Sequence, residues 1–415
     1  MTSQEIQQTH RSKPRFFYGN IVVVAAFFIM AAMSGLHFAF GVFFKPMLNE
    51  FGWTRAVTSG VISLNMITQG FLGIVMGGLT DRFGPRVVLT ICGFLLGLGY
   101  LLVSQTSTLW QLYLFYGVIA ATGMSGAIVP LVTTVARWFV KSRSTMTGIV
   151  LSGIGIGTLI VPPVASRLIS IYDWRTSYLI LGGLSSMVVI LAAQFLKRDP
   201  TTVGQVPYAE TGGEEPRSKL RIEGFSLKQA VCTRQFWLVS AVFFSLGFSR
   251  LSIMVHIAPH AIEMGISATE AANILATIGG LSIIGRIVMG AAADKIGNRL
   301  AFIIGFILMS AALFWLVQAT ETWMLYLFAA VFGLFSFGVA ASESPLVAGL
   351  FGLSYHGLIF GILGFIYTIG AAIGPLLAGY LFDVAGNYQA SFLVSAAVGI
   401  IGLIVIILLT PTKTN

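Results

Sequence analysis

The stretch Gly77-Gly78-Leu79-Thr80-Asp81-Arg82-Phe83-Gly84-Pro85-Arg86 recurs in altered form as Gly290-Ala291-Ala292-Ala293-Asp294-Lys295-Ile296-Gly297-Asn298-Arg299. In both copies small residues end an apolar run, and an acid, a base, a turn glycine and a final base follow. The two aspartates are 213 positions apart in a chain of 415 residues. The pattern predicts two related halves of similar length, each with a short charged loop between two apolar helices.

The composition around these loops predicts a membrane protein. Hydrophobic residues make up 56% of the chain, charged residues only 9%, and the mean hydropathy is +0.89. A chain of this size has too few polar residues to cover a water-soluble globule. Twelve apolar windows each have the ~20 residues that a transmembrane α-helix needs, without the polar alternation of barrel strands. We therefore predict an all-α protein with twelve spans: 18–46, 56–80, 86–105, 108–136, 144–168, 174–196, 235–262, 269–293, 299–318, 322–349, 354–380 and 388–410.

One long polar segment separates the sixth and seventh windows and contains Lys197-Arg198-Asp199-Pro200 and Gly212-Gly213-Glu214-Glu215-Pro216. A polar segment of this length is typical of a linker between two folded units. The predicted organisation is an N-terminal segment 1–17, a six-helix bundle 18–196, a linker 197–234, a second six-helix bundle 235–410 and a tail 411–415.

The distribution of basic residues predicts the orientation in the membrane. With both termini in the cytoplasm, most of the 24 lysines and arginines fall in cytoplasmic segments, as the positive-inside rule requires. The exceptions are Lys45, Arg55, Arg167, Arg175, Arg250 and Arg286. The net charge of +9 is explained by anionic lipid next to these segments, so we expect membrane lipid and no nucleic acid as a partner.

The repeated loop resembles the signature loop of the major facilitator superfamily, which lies between helices two and three and again between helices eight and nine. The resemblance implies two pseudo-symmetric six-helix bundles around a central cavity, which is exposed alternately to each side of the membrane. In that family the loop acid helps to hold the bundles together on the cytoplasmic side. The resemblance therefore implies a gating role for Asp81, Arg82, Arg86, Asp294, Lys295 and Arg299.

Three further stretches resemble bacterial relatives of the monocarboxylate transporters and oxalate/formate antiporters. They are Phe40-Gly41-Val42-Phe43-Phe44-Lys45-Pro46 with Phe51-Gly52-Trp53-Thr54-Arg55, then His256-Ile257-Ala258-Pro259-His260, and Gly285-Arg286-Ile287-Val288-Met289-Gly290. The resemblance implies a bacterial plasma membrane protein and a small carboxylate as substrate.

In the animal monocarboxylate carriers an arginine in helix eight binds the substrate carboxylate, and Arg286 matches it in type and context. The proton-linked lysine and aspartate of those carriers would fall on Phe38 and Ser282. Proton coupling by the animal mechanism is therefore not expected here.

Arg286 is the first candidate for a substrate ligand on chemical grounds. It lies eight residues before Asp294, about 12 Å into the membrane, where a charge costs about 2.5–3.5 kcal/mol on insertion scales. Its guanidinium keeps its charge and matches a carboxylate with two parallel hydrogen bonds. The partner is either an organic anion in the cavity or an acid of the protein, of which Glu343 is the main intramembrane candidate.

Arg250 lies near the middle of the seventh window and admits two interpretations. A second arginine facing the cavity would suit a dicarboxylate, whereas an ion pair with Glu343 would leave one free cation and favour a monocarboxylate. Candidates for proton coupling are His256, His260, His37 and Glu343. His256 and His260 are four residues apart and share a helix face, and histidine titrates near neutral pH.

Aromatic residues in the fourth, tenth and eleventh windows could form an apolar wall for a short carbon chain, or could simply pack between helices. These candidates are Tyr116, Phe335, Phe360 and Tyr367.

We predict a secondary transporter of a small organic anion, most simply a monocarboxylate such as lactate or pyruvate, with proton symport as one form of coupling. The alternative is a dicarboxylate or oxalate/formate-type exchanger. A receptor or a membrane-embedded enzyme is disfavoured, because the chain lacks a P-loop, zinc-ligand spacing, Gly-x-Ser-x-Gly and cofactor motifs. We expect a monomer without a cofactor or metal.

Overall fold

The computed structural model describes residues 17–206 and 224–409 and contains twelve helices that are long and apolar enough to cross a membrane. Their number and positions confirm the twelve predicted spans. The predicted N-terminal segment up to residue 16, linker residues 207–223 and the tail from residue 410 lie outside the described residues.

The first six spans are numbered helices 1 to 6. They are Gly19–Phe51, Arg55–Phe83, Pro85–Ser104, Leu109–Trp138, Arg143–Ile171 and Trp174–Ala193. Side chains with acceptor oxygens cap some of these helices where they begin. Thr54 accepts a hydrogen bond from the Val57 N–H at helix 2, and Asp173 accepts one from the Thr176 N–H at helix 6. The second of these bonds lowers the pKa of the Asp173 carboxyl.

The second six spans are numbered helices 7 to 12. They are Arg234–Glu263, Ala268–Ile296, Asn298–Val317, Thr322–Phe351, His356–Ala385 and Gln389–Leu408. Helix 8 is followed by Gly297 at φ 91°, just as helix 2 is followed by Gly84 at φ 83°. Residues with a side chain rarely adopt this backbone conformation, so each copy of the repeated loop uses its glycine to turn the chain.

Helices 4 and 10, which occupy equivalent places in the two halves, each contain a π-helical segment. Helix 4 widens at Phe115–Ala120 and helix 10 at Phe332–Ser336. Such segments interrupt the regular α-helical hydrogen bonding and are frequent at functional sites. The interruption in both halves extends the internal repeat beyond the charged loops.

The two bundles have the same internal packing. Helix 1 packs along helix 5 as helix 7 packs along helix 11, and helix 3 packs along helix 6 as helix 9 packs along helix 12. The main contacts between the bundles pair helix 2 with helix 11 and helix 5 with helix 8. This arrangement confirms the predicted class of two pseudo-symmetric six-helix bundles. We call the ends where helix 1 begins and helix 12 ends the inner ends, because the charge distribution predicts that they face the cytoplasm.

The described parts of the linker pack against the inner ends. A 3-10 turn at Pro200–Val203 precedes Gln205, whose side chain accepts a hydrogen bond from the Tyr18 N–H at 3.0 Å. A short helix at Leu227–Val231 follows Phe225, whose N–H donates to the Phe351 carbonyl at 2.9 Å. The linker is thus attached to both bundles near the start of helix 1 and the end of helix 10.

Candidate functional site

Asp81, in the last turn of helix 2, contacts the first turn of helix 11 in the opposite bundle. Its Oδ2 accepts a hydrogen bond from the Leu358 N–H at 3.1 Å, and its Oδ1 accepts one from Arg137 Nη2 at 2.7 Å. Arg137 Nη2 also donates to the Leu353 carbonyl of the opposite bundle at 3.0 Å. The first N–H groups of a helix lack partners within the helix and carry partial positive charge, so a carboxylate stabilises them.

Asp294 repeats this contact in the second copy, with the bundles exchanged. Its Oδ1 accepts from the Ser144 N–H and its Oδ2 from the Thr145 N–H, both at 2.8 Å, in the first turn of helix 5. Thr145 Oγ1 donates to the same Oδ2, and Ser144 Oγ donates to Asn298 Oδ1 at 2.7 Å. Each loop aspartate therefore caps a helix of the other bundle.

Small residues allow these helices to approach closely at the inner end. A Cβ atom on Gly77 would lie 2.2 Å from the Gly357 carbonyl oxygen, and one on Gly148 would lie 2.2 Å from the Arg286 carbonyl oxygen. Real Cβ atoms do not tolerate such distances, so helices 2 and 11, and helices 5 and 8, can meet in this way only with glycine at both positions.

The hydrogen bonds that join the two bundles, over residues 17–206 and 224–409, lie in the inner half of the membrane. Besides the aspartate contacts they include Arg286 Nη1 to the Leu151 carbonyl at 3.0 Å and Ser344 Oγ to the Val132 carbonyl at 3.5 Å. The structure is therefore held closed at the inner end. We call this set of contacts the inner gate.

The other charged residues of the repeated loops stay within their own bundles. Arg82 lies over the Phe83 ring at 5.1 Å, and Arg86 Nε donates to Gln194 Oε1 at 2.9 Å. Arg299 donates to the Ile406 and Ile407 carbonyls at the end of helix 12, and Lys295 is exposed. Of the six gating candidates, the structure brings only the two aspartates into contact with the opposite bundle.

Arg250 of helix 7 is buried and fully neutralised inside the C-terminal bundle. Its Nη1 donates to Glu343 Oε1 at 2.8 Å, and its Nε and Nη2 both donate to the Ser336 carbonyl. Ser336 is the last residue of the π-helical segment of helix 10. The guanidinium also lies over the rings of Phe337 and Tyr367, at 5.4 and 5.8 Å. Arg250 is thus the arginine that pairs with the resident acid.

Arg286 of helix 8 is also buried but has no acid partner within 4.0 Å among the described residues. Only 6% of the residue is exposed. Its Nη1 donates to the Leu151 carbonyl across the bundle interface, while its buried Nε has no hydrogen-bond partner within the described ranges 17–206 and 224–409. Burying an incompletely bonded cation is unfavourable unless another group completes its hydrogen bonds. The N–H groups of this guanidinium that lack a partner can donate hydrogen bonds to a carboxylate.

Arg286 lies near enough to Arg250, Glu343 and Tyr367 for its charge to interact with theirs, and we call these four residues the arginine cluster. Two cations and one carboxylate give the cluster a formal charge of plus one. A monoanion would therefore neutralise it, whereas a dianion would leave it negative by one.

The histidines of helix 7 lie apart from the arginine cluster, in the outer half. The ring nitrogens of His256 lie 3.0 Å from the Pro375 carbonyl and 3.4 Å from the Tyr388 hydroxyl. The Tyr388 hydroxyl can donate to the nearby ring nitrogen of His256. His260 packs edge-on against Phe392 of helix 12, and its buried Nε2 has no hydrogen-bond partner in the part of the chain that the structure describes.

Only one of the four aromatic candidates contacts the arginine cluster through its side chain. Tyr367 lies beside Arg250, whereas Tyr116 is fully buried against Phe40, with ring centres 4.4 Å apart. Phe360 packs against Phe243, and Phe335 belongs to the π-helical segment next to Ser336. The structure brings together Arg250, Arg286, Glu343 and Tyr367. It places the other three aromatic candidates, Tyr116, Phe360 and Phe335, among packed rings or in the π-helical segment.

Sequence reasoning missed three polar residues of the N-terminal bundle. Arg137 joins the inner gate, and Asn65 and Gln69 of helix 2 form hydrogen bonds with helices 1 and 4. The signal for the last two was a pair of amides four residues apart in an apolar span, which places them on one helix face. Arg137 had no such signal, because it looks like any basic residue at the end of a span.

The chain matches the family model described as Major Facilitator Superfamily over residues 22–287 and 241–415. It is 31% identical to monocarboxylate transporter 13 of Bos taurus over 390 residues, which cover 92% of this chain and 86% of that protein. It is 29% identical to the Rattus norvegicus protein of the same name and 28% identical to monocarboxylate transporter 11 of Homo sapiens. These matches cover 94% and 92% of this chain, and 88% and 80% of the relatives.

Solved structures with the same fold include the E. coli fucose:proton symporter and the human organic anion transporter MFSD10. The first has a TM-score of 0.72 at 16% identity and covers 96% of this chain and 100% of its own. The second has a TM-score of 0.71 at 15% identity and covers 95% and 100%. At these identities the likeness concerns the fold alone.

Proposed function

The chain belongs to the Major Facilitator Superfamily, and we propose that it carries a small monocarboxylate, such as lactate or pyruvate, across the membrane by alternating access. It is an integral multi-pass membrane protein whose curated relatives include monocarboxylate transporters. The observation that carries the substrate proposal is the buried Arg286 guanidinium, which has no carboxylate partner within 4.0 Å among the residues that the structure describes.

The charge of the arginine cluster supports a monoanion over a dianion. Glu343 already occupies one side of Arg250, and the Ser336 carbonyl occupies another. Arg286, by contrast, has no acid partner among the described residues, and two parallel hydrogen bonds from a guanidinium to a carboxylate are the strong arrangement for such a pair. A dicarboxylate exchanger, the alternative, would need Glu343 to be protonated or displaced.

The position of Arg286 also suggests how substrate binding and gate opening are coupled. Its Nη1 contacts the Leu151 carbonyl of the other bundle, so the substrate would bind to a side chain that forms part of the inner gate. A ligand shifts a conformational equilibrium by its difference in affinity for the two states. We propose that the carboxylate competes with the Leu151 carbonyl for Arg286 and so weakens the gate.

For proton symport, the geometry favours Glu343 among the candidates His256, His260, His37 and Glu343. Protonation of Glu343 would release Arg250 and raise the charge of the cluster, so proton and anion binding would affect each other directly. His256 is bonded to helix 11 and Tyr388 instead. The bacterial plasma membrane, cytoplasmic termini and a monomeric state remain our predictions.

Uptake by reconstituted vesicles tests the substrate proposal. Arg286→Ala should reduce uptake of labelled lactate at least 100-fold, and Arg286→Lys should reduce it less, because lysine keeps the charge but lacks the planar fork. Arg167→Ala and Arg167→Lys, at an exposed position on the outer part of helix 5, are matched controls that should transport normally. Normal uptake by Arg286→Ala, or loss of uptake by the Arg167 variants as well, would contradict the proposal.

A further inference from the structure

Three polar side chains form a hydrogen-bonded relay in the N-terminal bundle. Asn65 Nδ2 donates to the Tyr116 carbonyl at 2.7 Å, within the π-helical segment of helix 4. Gln69 Nε2 donates to Asn65 Oδ1 at 2.5 Å and lies 3.3 Å from His37 Nδ1. Its remaining contact is the Met124 sulfur at 3.7 Å, a weak acceptor. The relay links helices 1, 2 and 4.

The Tyr116 backbone carbonyl determines which group donates and which accepts in every hydrogen bond of this relay. A carbonyl oxygen can only accept, so Asn65 must turn its NH₂ group towards Tyr116 and its oxygen towards Gln69. Gln69 must then present its own NH₂ group, and the second hydrogen of that group points at His37 Nδ1. Since Nδ1 accepts, neutral His37 carries its proton on Nε2. A cationic His37 would place two donors face to face, so the relay favours the neutral ring.

This direction leaves one donor and one acceptor without protein partners among the described residues. They are His37 Nε2–H and Gln69 Oε1, on two side chains that are both half-buried. A hydroxyl group both accepts and donates one hydrogen bond, so it would satisfy the pair. A keto oxygen could only accept a hydrogen bond from His37 Nε2–H, and an unsubstituted carbon chain could form neither hydrogen bond.

Helix 2, which carries Asn65 and Gln69, packs against helix 11 of the other bundle, and the relay lies at a depth close to that of the arginine cluster. Gln69 is twelve residues before Asp81 and Arg286 is eight before Asp294, so their depths differ by about 6 Å along the helix axes. The neighbouring Gly70 faces helix 11, where an added Cβ would lie 3.2 Å from Thr368 Oγ1. Thr368 directly follows Tyr367, which belongs to the arginine cluster.

We propose that His37 and Gln69 form a hydroxyl-binding subsite opposite the arginine cluster, and that the substrate is a hydroxylated monocarboxylate. This inference rests on the proposed function: Arg286 binds the carboxylate, while the relay selects hydroxy acids over oxo acids and oxo acids over unsubstituted acids. The relay also gives His37 a role in substrate selection and not in carrying a proton.

The half-saturating concentrations for uptake of labelled lactate, pyruvate and propionate test this subsite in reconstituted vesicles. The wild-type protein should bind lactate tightest and propionate weakest. His37→Phe should raise the lactate and pyruvate values by roughly 3–10-fold, the worth of one hydrogen bond, and leave propionate unchanged. Gln69→Leu should raise the lactate value most. His37→Gln, which keeps an N–H donor, should retain most of the lactate preference and shows that the site still folds.

Gln318→Leu, at an exposed position beyond helix 9, is the matched control and should leave all three values unchanged. Equal values for lactate and propionate in the wild type would overturn the subsite and leave the proposed function standing. Equal weakening of all three substrates in His37→Phe would also overturn it. Failure of the wild type to carry any of the three acids would overturn the proposed function and the subsite together. Loss of all three in Arg286→Ala supports the proposed function, and the order of the three acids in the wild type and in His37→Phe tests the subsite.

Discussion

The inner gate and the arginine cluster both bury charged side chains between helices, but they differ in whether each charged group has hydrogen-bond partners. In the gate, both aspartates have such partners. Asp81 and Asp294 each accept hydrogen bonds from a helix of the opposite bundle, and Asp81 also pairs with Arg137. In the arginine cluster, Arg286 has one carbonyl partner, and its buried Nε has none among residues 17–206 and 224–409. The gate aspartates have hydrogen-bond partners in this closed state, whereas the incompletely bonded Arg286 is where we propose that a ligand binds.

Within the cluster, the two arginines show the same contrast at similar burial. Arg250 is 2% exposed and Arg286 6%, so both have lost nearly all contact with solvent. Arg250 is compensated by Glu343 and the Ser336 carbonyl. Because the two arginines are similarly buried and only their partners differ, removing the acid partner of Arg250 and removing Arg286 itself should have different effects on the free energy of unfolding.

The largest expected effect concerns stability. Glu343→Leu leaves Arg250 buried without its acid, and breaking a buried ion pair in this way costs about 3–5 kcal/mol. Arg286→Leu removes a cation that has no acid partner, so the free energy of unfolding should stay the same or rise. Thermal and denaturant unfolding of the purified variants in detergent measures both. Equal destabilisation by the two substitutions would mean that Arg286 has a resident partner after all.

A smaller effect is expected when the two gate aspartates are compared. Asp81→Asn deprives buried Arg137 of a charged partner and should weaken the closed gate by about 1.5–3 kcal/mol, whereas Asp294→Asn leaves behind the neutral N–H and O–H donors of Ser144 and Thr145 and should weaken it less. Spin labels at the exposed positions Val87 and Leu300, one in each bundle, allow the distance between the inner ends to be measured by double electron–electron resonance spectroscopy.

The distance distribution should shift to longer values in Asp81→Asn more than in Asp294→Asn. Asp173→Asn, at the outer end of helix 6, is the matched control and should not change it. A larger shift in Asp294→Asn, or a shift in the control, would contradict the assignment of Asp81 and Arg137 as the stronger half of the gate.

The smallest expected effect is a change of specificity. Glu343→Gln keeps the size of the side chain and a hydrogen-bond acceptor for Arg250 but raises the formal charge of the cluster to plus two. Uptake of a dicarboxylate such as succinate should rise about 10-fold relative to lactate, since a hydrogen bond to a charged group contributes about 1.5–3 kcal/mol. An unchanged ratio of succinate to lactate uptake would show that the charge of Glu343 does not influence substrate binding.

The sequence was sufficient to predict the twelve spans, the two halves and the loop aspartates, because lipid imposes span length and the charged repeat marks equivalent turns. Arg286 could be selected because a permanent charge stood eight residues inside an apolar span. These features depend on local composition and on spacing along one helix.

Contacts between helices could not be predicted in the same way. The pairing of Arg250 with Glu343 remained one of two interpretations, because a sequence does not specify how two helices are rotated relative to each other. The π-helical segments of helices 4 and 10 turn the Tyr116 and Ser336 carbonyls towards side chains of other helices. No residue type in the sequence predicts these segments. The relay through Asn65, Gln69 and His37 depends on two such contacts, from Asn65 to helix 4 and from Gln69 to helix 1.

Calorimetric titration of the purified protein with lactate tests most directly whether Arg286 is the carboxylate ligand. Wild-type protein should bind with a measurable enthalpy, Arg286→Lys should bind at least 10-fold more weakly, and Arg286→Ala should show no binding while unfolding at the wild-type temperature or above. Lactate binding to Arg286→Ala with the wild-type dissociation constant would contradict the proposed site.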